Sequence, residues 1–419
     1  MNPRIATALE IDQDMQAARS AARGILAAAN NMRAAGAAPL TARVKKVAAV
    51  AAQHAPAVDR DSRFPEEAIA AARAEQLLGI AVPGDLGGEG ASIAEIVDVC
   101  YALGRACAST AMIYAMHQTK VACLVRHGRT SPWYQLVLHR LANEQLLFAS
   151  STTEGQGGGD VRNSAAPIMR DGSRISLERH ATVISYGKAA DAVVTTARRA
   201  ADAASSDQVL VTFLKQDYTL EPVVGWDAFG MRGTCSEGFK LVASGASEQI
   251  MPVSYDKIHM QTMMPVAHLL WSAAWAGIAA AAVDRARAFV RKAAQRSGGT
   301  LPPAAAHLTR ANASLRTLRG LIASSLQRFA AADPDTLETI DFQTGMNLLK
   351  VNASELAVAT VTSAMQTCGL AGYRNDGEFS IGRHLRDILS SPIMISNDRI
   401  LANISAASLL SGIPETLSG

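Results

Sequence analysis

The spacing of apolar and polar residues in the first third of the chain is typical of amphipathic helices. Residues 64–80 open with a proline and two glutamates, and residues 92–106 follow Ser92, a candidate N-cap. Two further alanine-rich runs with helical spacing cover residues 13–35 and 41–57. The pattern predicts an all-helical N-terminal domain over residues 1–146, of which residues 1–57 are partly a helical extension.

The pattern changes between residues 147 and 252. Short runs rich in valine and threonine, DAVVTTARR at 191–199 and DQVLVTFLK at 207–215, stand between frequent glycines. Residues branched at Cβ favour strands, and glycines at short intervals mark turns. The middle of the chain, residues 147–252, is therefore predicted to form a small β-barrel domain.

Helical spacing returns in the last part of the chain, residues 253–419. Candidate helices there cover residues 267–295, 303–331, 338–370 and 381–411. Four long helices in succession are typical of an antiparallel bundle. The predicted fold class is therefore α+β and mostly α, with an N-terminal helical domain, a central β-barrel and a C-terminal four-helix bundle.

One of these helices has the composition of a possible membrane span and needs a separate argument. No Asp, Glu, Lys or Arg stands between Lys257 and Asp284. Alanine dominates the stretch and is only weakly lipophilic, whereas a spanning helix consists of about 20 strongly apolar residues. We therefore expect a buried core helix and no membrane partner.

Length, charge and cysteines narrow the class of protein. The 419 residues are 49% hydrophobic, which is enough for a large core. The net charge of +3 is spread along the chain, so no nucleic-acid partner is expected. The five cysteines form no CxxC pair, which predicts free thiols, no metal site and a reducing compartment. The polar N-terminus lacks a secretory signal, so we expect a cytoplasmic protein.

A glycine-rich stretch carries the first candidate chemistry. In STTEGQGGGDV, residues 151–161, two threonines and a glutamate precede four glycines within five positions. Glycines let a backbone approach a ligand closely, and threonine hydroxyls supply hydrogen bonds at short range. The stretch suits a flat ligand with polar edges or a phosphate, but taken alone it favours a plain loop.

Five motifs, in this order, resemble those of the acyl-CoA dehydrogenase superfamily. They are LLGIAVPGDLGGEGAS at 77–92, TTEGQGGGDV at 152–161, GMRGT at 230–234, QTCGLAGY at 366–373 and RHLRD at 383–387. The resemblance covers nearly the whole chain from about residue 60 onward. It implies the three-part fold predicted above, a bound FAD and a flavin-dependent oxidoreductase.

The resemblance also assigns cofactor-binding positions. It implies that Thr152 and Thr153 meet the pyrimidine side of the flavin and that Gly158 and Gly159 lie beside its pyrophosphate. The remaining positions that it assigns to FAD are Ile184, Ser185, Arg296, Gln366 and Gly369. Arg296 is the sole remnant of an R-x-T-F motif whose arginine, in the family, reaches the FAD of a neighbouring subunit.

The catalytic base of the family has no obvious counterpart in this chain. The position of the family's catalytic glutamate falls on Ile395, and its second known position falls near Ala267. Substitute candidates are Asp398, which has an alternative interpretation as a helix-capping residue, and Glu378, a loop carboxylate. The resemblance also makes His117 a candidate catalytic residue, since some flavin monooxygenases of the superfamily use a histidine to assist a flavin hydroperoxide; its alternative interpretation is a packed helix residue. The base therefore remains unassigned from the sequence.

Three functions compete on these grounds. The resemblance favours an FAD-dependent dehydrogenase that oxidises the Cα–Cβ bond of an acyl thioester carried on CoA or on a carrier protein. The missing glutamate favours a monooxygenase of the same fold that uses reduced flavin and O2, because that chemistry needs no α-proton abstraction. A non-catalytic relative is the third alternative. The resemblance further implies a homodimer or homotetramer and, as partner, an electron-accepting flavoprotein or a flavin reductase.

Overall fold

The computed structural model describes residues 38–154 and 161–410. Its N-terminal part is helical, as predicted. The helices are α1 (Leu40–Arg60), α2 (Glu66–Ala74), α3 (Ile93–Ala106), α4 (Ala108–His127) and α5 (Pro132–Glu144). The predicted helix at 13–35 lies outside the described residues.

Helix α3 begins where the sequence predicts it. The Ser92 hydroxyl accepts a hydrogen bond from the Glu95 amide at 3.3 Å, and the Glu95 carboxylate accepts one from the Ser92 amide at 2.8 Å. Each residue satisfies a backbone donor that the first turn of a helix leaves free, a stabilisation of about 1 kcal/mol. The buried side chains of Ile96, Val99 and Leu103 then turn one face of α3 towards the core.

The middle of the chain forms two small sheets in the described residues. The strands are β1 (Phe148–Ser151), β2 (Met169–Asp171), β3 (Arg174–Ile184), β4 (Ala192–Arg198), β5 (Gln208–Leu214), β6 (Tyr218–Val224) and β7 (Glu237–Ala246). One sheet has the order β1-β4-β5, with β1 and β4 parallel, and the other has the antiparallel order β2-β3-β7-β6. These sheets confirm the β-rich centre of the predicted fold class.

Helices form the rest of the described chain. They are α6 (Tyr255–Arg296), α7 (Ala305–Ala331), α8 (Pro334–Leu337), α9 (Ile340–Cys368), α10 (Leu370–Tyr373), α11 (Gly382–Ile388) and α12 (Asn397–Leu410). Helix α6 includes a π-helical turn at His259–Met263 and packs against α3, α4, α7 and α9. With the N-terminal helices and the two sheets, these elements give the mostly helical α+β fold predicted. The domain boundaries at 146 and 252 stay a prediction.

The prediction of a single helix over residues 381–411 is wrong. Helix α11 ends at Ile388 and α12 begins at Asn397, so a non-helical segment of residues 389–396 separates them. Pro392 lies in this segment, has no amide hydrogen to donate and disfavours helical geometry at the preceding residue. The break matters for function because it carries Ile395.

Helix α6 is long and apolar enough, by length and composition, to cross a membrane. However, 89% of its most apolar window is buried inside the protein. Its burial by α3, α4 and α9 is that of a core helix, as the alanine-rich composition predicted.

The contact between α3 and α6 depends on two glycines. A Cβ placed at Gly277 would lie 2.3 Å from the carbonyl oxygen of Tyr101 and 2.9 Å from the Cα of Gly104. A Cβ at Gly104 would lie 2.3 Å from the carbonyl oxygen of Ala274. Both distances are far inside van der Waals contact with backbone atoms, which cannot turn away as a side chain can. The two helices therefore approach closely only because both positions lack a side chain.

We expect Gly277→Ala to destabilise the protein by about 2 kcal/mol or more, since the two helices must separate. Gly320→Ala in α7 is the matched control, because nothing lies within 4 Å of its added Cβ. That change should instead stabilise by about 0.5–1 kcal/mol through helix propensity. Urea unfolding followed by circular dichroism measures both. Equal effects of the two changes would contradict the proposed close packing.

The sheets meet the bundle at the turn after β6. A Cβ at Gly230 would lie 2.0 Å from the carbonyl oxygen of Arg386 in α11. The next residue, Met231, donates its amide hydrogen to the Asp387 carboxylate at 2.7 Å. Arg386 in turn forms an ion pair with Asp59 at the end of α1. The GMRGT and RHLRD motifs are therefore two sides of one joint between the sheets, the bundle and the N-terminal helices.

Candidate active site

A cavity of about 840 Å³ lies between the sheets and the bundle. Residues from the sheet side include Ser150, Thr152, Thr153, Val183, Ser185 and Ser236. The helices α4, α6, α9 and α12 and the segment 389–396 supply the other side. A volume of this size is typical of sites that enclose a small molecule or cofactor.

Hydroxyl groups line the wall of the cavity that the sheets provide. The Ser185 and Ser236 oxygens are 2.8 Å apart, and the Ser236 and Thr234 oxygens are 2.7 Å apart. The Thr234 hydroxyl also donates to the carbonyl of Met231 at 2.8 Å. Thr152 and Thr153 lie on the same cavity. Hydroxyls of this kind match the polar edge of a flavin ring, so the residues present fit that cofactor.

Several residues assigned to FAD are not placed on this wall. Ile184 has no exposed surface and does not line the cavity, whereas its neighbours Val183 and Ser185 do. Alternate residues of a strand point to opposite faces of the sheet. Val183 and Ser185 therefore face the cavity, whereas Ile184 points to the other side. Gly158 and Gly159 lie outside the described residues.

Three other assigned residues are at the surface of the bundle. Arg296 is exposed at the end of α6, and Gln366 and Gly369 are exposed at the end of α9. None of the three lines the cavity described here. A role at the FAD of a neighbouring subunit, which the family resemblance implies for Arg296, stays a prediction.

Glu154 fixes the two ends of the glycine-rich stretch. Its carboxylate accepts hydrogen bonds from the amides of Ala165 and Ala166 and lies 3.3 Å from the guanidinium of Arg179. Arg179 and Glu154 are both buried, so this pair is shielded from solvent. Glu154 therefore brings residues 154 and 165 together and is structural.

The structure does not bring the proposed bases to the cavity. Asp398 is exposed in the first turn of α12 and does not line it, although its neighbour Arg399 does. Glu378 is exposed and forms an ion pair with Lys292. Neither carboxylate can accept a proton from a ligand in this cavity, because neither reaches it in the described structure.

His117 is also a structural residue. Its Nε2 lies 2.9 Å from the carbonyl of Leu78, which only accepts, so Nε2 carries the hydrogen. Its Nδ1 accepts a hydrogen bond from the amide of Phe148 at 3.0 Å. Both nitrogens are occupied and the ring is completely buried, which lowers the pKa of His117 to about 4. The histidine joins α4 to β1 and does not line the cavity.

Buried histidines make stability depend on pH. Burial lowers the pKa of His117 to about 4 and that of His268 to about 3, whereas an unfolded histidine titrates near 6.5. Below pH 6.5 the unfolded chain therefore binds protons that the native protein does not. The free energy of unfolding should fall by about 2 kcal/mol per histidine between pH 7.5 and pH 5.

Urea unfolding at several pH values between 7.5 and 5 measures this loss. His117→Gln should reduce the slope of the pH dependence by one histidine, whatever its effect on stability at pH 7.5. An unchanged slope in that variant would show that His117 is not buried as a neutral ring.

The cavity lining also includes three residues with titratable side chains that the sequence did not single out as candidates. His268 in α6 lies next to Ala267, and its Nδ1 donates to the carbonyl of Met346 at 2.9 Å. Because that carbonyl only accepts, the lone pair of the ring is on Nε2. The other two are Glu338, whose exposed carboxylate accepts from the Gln261 amide at 2.7 Å, and the buried Lys120. The adjacency of His268 to Ala267 was the signal available in the sequence.

Ile395 lies on the cavity in an unusual conformation. Its φ is +47°, which a β-branched residue rarely adopts. The buried Lys350 ammonium donates to the Ile395 carbonyl at 2.8 Å and to the Asn397 side-chain oxygen at 2.7 Å. Lys350 also lies 5.9 Å from the ring centre of Trp275, and burial lowers its pKa to about 7. Lys350 therefore holds the segment between α11 and α12 against the bundle.

The fold and the site define a class: a mostly helical α+β protein with a flavin-compatible cavity between its sheets and its bundle. Two family models match the chain, "Acyl-CoA dehydrogenase, N-terminal domain" over residues 40–143 and "Acyl-CoA dehydrogenase, C-terminal domain" over residues 258–410. The chain belongs to the acyl-CoA dehydrogenase superfamily, as its motifs predicted. It is an acyl-CoA dehydrogenase-like oxidoreductase and a flavoprotein.

Curated relatives of this chain are similar over most of its length. It is 26% identical over 360 residues to a cyclohex-1-ene-1-carbonyl-CoA dehydrogenase of Geobacter metallireducens, covering 84% of this chain and 92% of the relative. It is 25% identical over 368 residues to the probable acyl-CoA dehydrogenase FadE25 of Mycobacterium tuberculosis, covering 86% and 91%.

Solved structures of several kinds share the fold. FMN-bound TdsC of Paenibacillus sp. A11-2 superposes with a TM-score of 0.76 at 15% identity and covers 90% of this chain and 98% of its own. Butyryl-CoA dehydrogenase of Megasphaera elsdenii gives 0.75 at 17% identity, with 89% and 98% covered. At these identities the likeness shows the fold alone.

Proposed function

We propose that this protein is an FAD-dependent dehydrogenase that oxidises the Cα–Cβ bond of an acyl thioester carried on CoA or a carrier protein. One observation carries the proposal: the hydroxyl-lined wall of the cavity faces an apolar wall rich in methionine. Met112 and Met116 of α4 lie on this wall together with Met260, Met263 and Met264 of α6. Flexible thioether side chains adapt to an apolar chain. Both curated relatives described above are named as dehydrogenases of CoA thioesters, the second as a probable one.

The cofactor and the chain divide the chemistry between them. A bound flavin supplies the acceptor for the β-hydride, and Thr152, Thr153 and Ser185 would hold its polar edge. The methionine-rich wall excludes water from the acyl group, which strengthens every polar contact inside the cavity. What remains is a group that accepts the α-proton.

We assign that role to His268. It is a cavity residue, and its Nδ1–H bond to Met346 leaves the lone pair on Nε2. Burial lowers the pKa of His268 to about 3, so the ring is neutral throughout the physiological range and keeps the lone pair on Nε2. The Met346 carbonyl fixes the ring orientation, as the partner of a catalytic histidine does.

We expect His268→Gln to slow flavin reduction by a thioester roughly 10²–10⁴-fold, the usual contribution of a general base. Thioester affinity should change little, since the amide fills a similar volume. Anaerobic stopped-flow absorbance measures the rate, and titration at equilibrium measures the affinity. His180→Gln on the exposed face of β3 is the control and should behave as the unmodified protein. A normal rate in His268→Gln would remove the histidine from the mechanism.

A flavin monooxygenase that uses reduced flavin and O2 is the second candidate. Glu338 is the only carboxylate among the described residues that line the cavity, and it is exposed and bonded to Gln261. A hydroxylating enzyme needs no α-proton abstraction, so the lack of a buried carboxylate suits it. Superfamily membership and fold do not choose between the two.

The deciding experiment is an absorbance spectrum of the purified protein followed by anaerobic addition of saturated acyl-CoAs. Stoichiometric flavin that bleaches on addition supports the dehydrogenase. Flavin that ignores every thioester, or that binds only when reduced, supports the monooxygenase instead. Binding of no flavin in either redox state would overturn both and leave a non-catalytic relative.

Ile395→Glu tests the lost-base interpretation directly. The residue lines the cavity, and the family resemblance assigns a catalytic glutamate to its position. We expect at least a tenfold faster flavin bleaching by saturated acyl-CoAs, because a carboxylate is a stronger base than a histidine of low pKa. Ile395→Gln is the isosteric control and should gain nothing. No difference between the two variants would contradict a dehydrogenase site at this position.

We further propose a homodimer or homotetramer, with an electron-accepting flavoprotein or a flavin reductase as partner, in the cytoplasm. The large side chains of Leu370 and Tyr373 are 74% and 75% exposed beside Gln366 and Gly369, which suits a subunit contact there. Analytical ultracentrifugation of the flavin-loaded protein measures the assembly.

A further inference from the structure

A stripe of α4 faces the cavity and ends in a charge. Met112, Met116, Thr119 and Lys120 all line the cavity, and their spacing places them on one face of the helix. The methionines are suited to an alkyl chain, whereas Lys120 is not. The Lys120 residue is only 4% exposed, so its ammonium group is not simply reaching solvent.

The ammonium group of Lys120 has no oxygen partner in the described structure. Its Nζ lies 3.4 Å from the thioether sulfur of Met263, a weak acceptor. The hydroxyl of Tyr255 donates to the same sulfur at 3.5 Å. The strong donor Lys120 therefore meets only a weak acceptor at the wall of the cavity. Among the described residues, none supplies an oxygen acceptor to the Lys120 ammonium, so the group is available to a ligand.

Lys350 shows what a structural buried lysine looks like in the same protein. It donates to two oxygens, the Ile395 carbonyl and the Asn397 side chain, and does not line the cavity. Lys120 has neither feature. Burial lowers the pKa of Lys120 to about 8, so most of it is still an ammonium at neutral pH. A buried charge without a counter-ion is costly, and a methionine would fill the same space without that cost.

The other charged residues of the described cavity lining do not pair with Lys120. The described lining includes the cationic side chains Lys120, Arg162, Arg386 and Arg399, against the single carboxylate of Glu338. Glu338 is bonded to Gln261 rather than to Lys120. Arg386 is already paired with Asp59, and of these four described cations only Lys120 is buried; it lies among the methionines suited to the acyl group.

We propose that Lys120 is a specificity-determining residue that pairs with a carboxylate on the acyl chain of the substrate. The substrate class is then acyl thioesters with an acidic acyl group, not plain alkyl thioesters. This inference rests on the proposed function, in that a thioester occupies the cavity. The substrate carboxylate supplies the oxygen acceptor that the described residues do not.

The experiment compares pairs of thioesters of equal chain length in the flavin-loaded protein. Glutaryl-CoA is set against pentanoyl-CoA, adipyl-CoA against hexanoyl-CoA and suberyl-CoA against octanoyl-CoA, and isothermal titration calorimetry measures each affinity. We expect at least one acid to bind tenfold or more tightly than its alkyl counterpart. Lys120→Met should abolish or invert that preference, and Lys120→Arg should retain it. Lys45→Met, an exposed lysine of α1, is the control.

Each outcome decides between the two proposals. Equal affinities within every pair, or an unchanged preference in Lys120→Met, would overturn the role of Lys120 and leave the thioester function standing. No binding of any thioester would overturn both.

Thermal unfolding of the ligand-free protein tests Lys120 independently of substrate. Lys120→Met should raise Tm, because the variant removes an unpaired buried charge. A clear fall in Tm would show that the lysine is structural and would overturn the inference.

Discussion

The joint between Gly230 and helix α11 sets the geometry on which the site depends. The carbonyl of Arg386 lies where a side chain at Gly230 would begin, and the Asp387 carboxylate receives the amide of Met231. Burial raises the pKa of Asp387 to about 6, which means that keeping the charged carboxylate at the joint costs free energy. Because Gly230, Met231 and Arg386 also line the cavity, the joint between the sheets and the bundle is itself part of the cavity wall.

Two buried lysines near that cavity have different roles. Lys350 donates to one backbone and one side-chain oxygen and holds Ile395 at a positive φ. Lys120 faces a thioether and is left with unused donors. One lysine therefore stabilises the shape of the cavity and the other gives it chemical selectivity, since only an unsatisfied group gains from a ligand. Both residues are buried lysines, so only their hydrogen-bond acceptors distinguish their roles.

Much of the fold was predictable because it follows from local signals. The N-cap of α3, the helical spacing of α1 and the Val- and Thr-rich strands each appear within a short window of sequence. The segment between α11 and α12 was missed, although Pro392 marks it, because apolar residues continue on both sides with helical spacing. The candidate Asp398 was chosen because it is three residues past position 395, on the expectation that the two share a helical face, whereas the helix begins only at Asn397 and residue 395 lies outside it.

The sequence by itself determined the family, the order of helices and strands, and a flavin-binding chemistry. These follow from motifs and from periodicity, which are properties of neighbouring residues. Only the tertiary structure decided that His117 is locked between Leu78 and Phe148, that His268 keeps a free lone pair, and that Lys120 has no oxygen partner among the described residues. The reason is physical: the protonation and reactivity of a side chain depend on burial and on acceptors that come from distant parts of the chain.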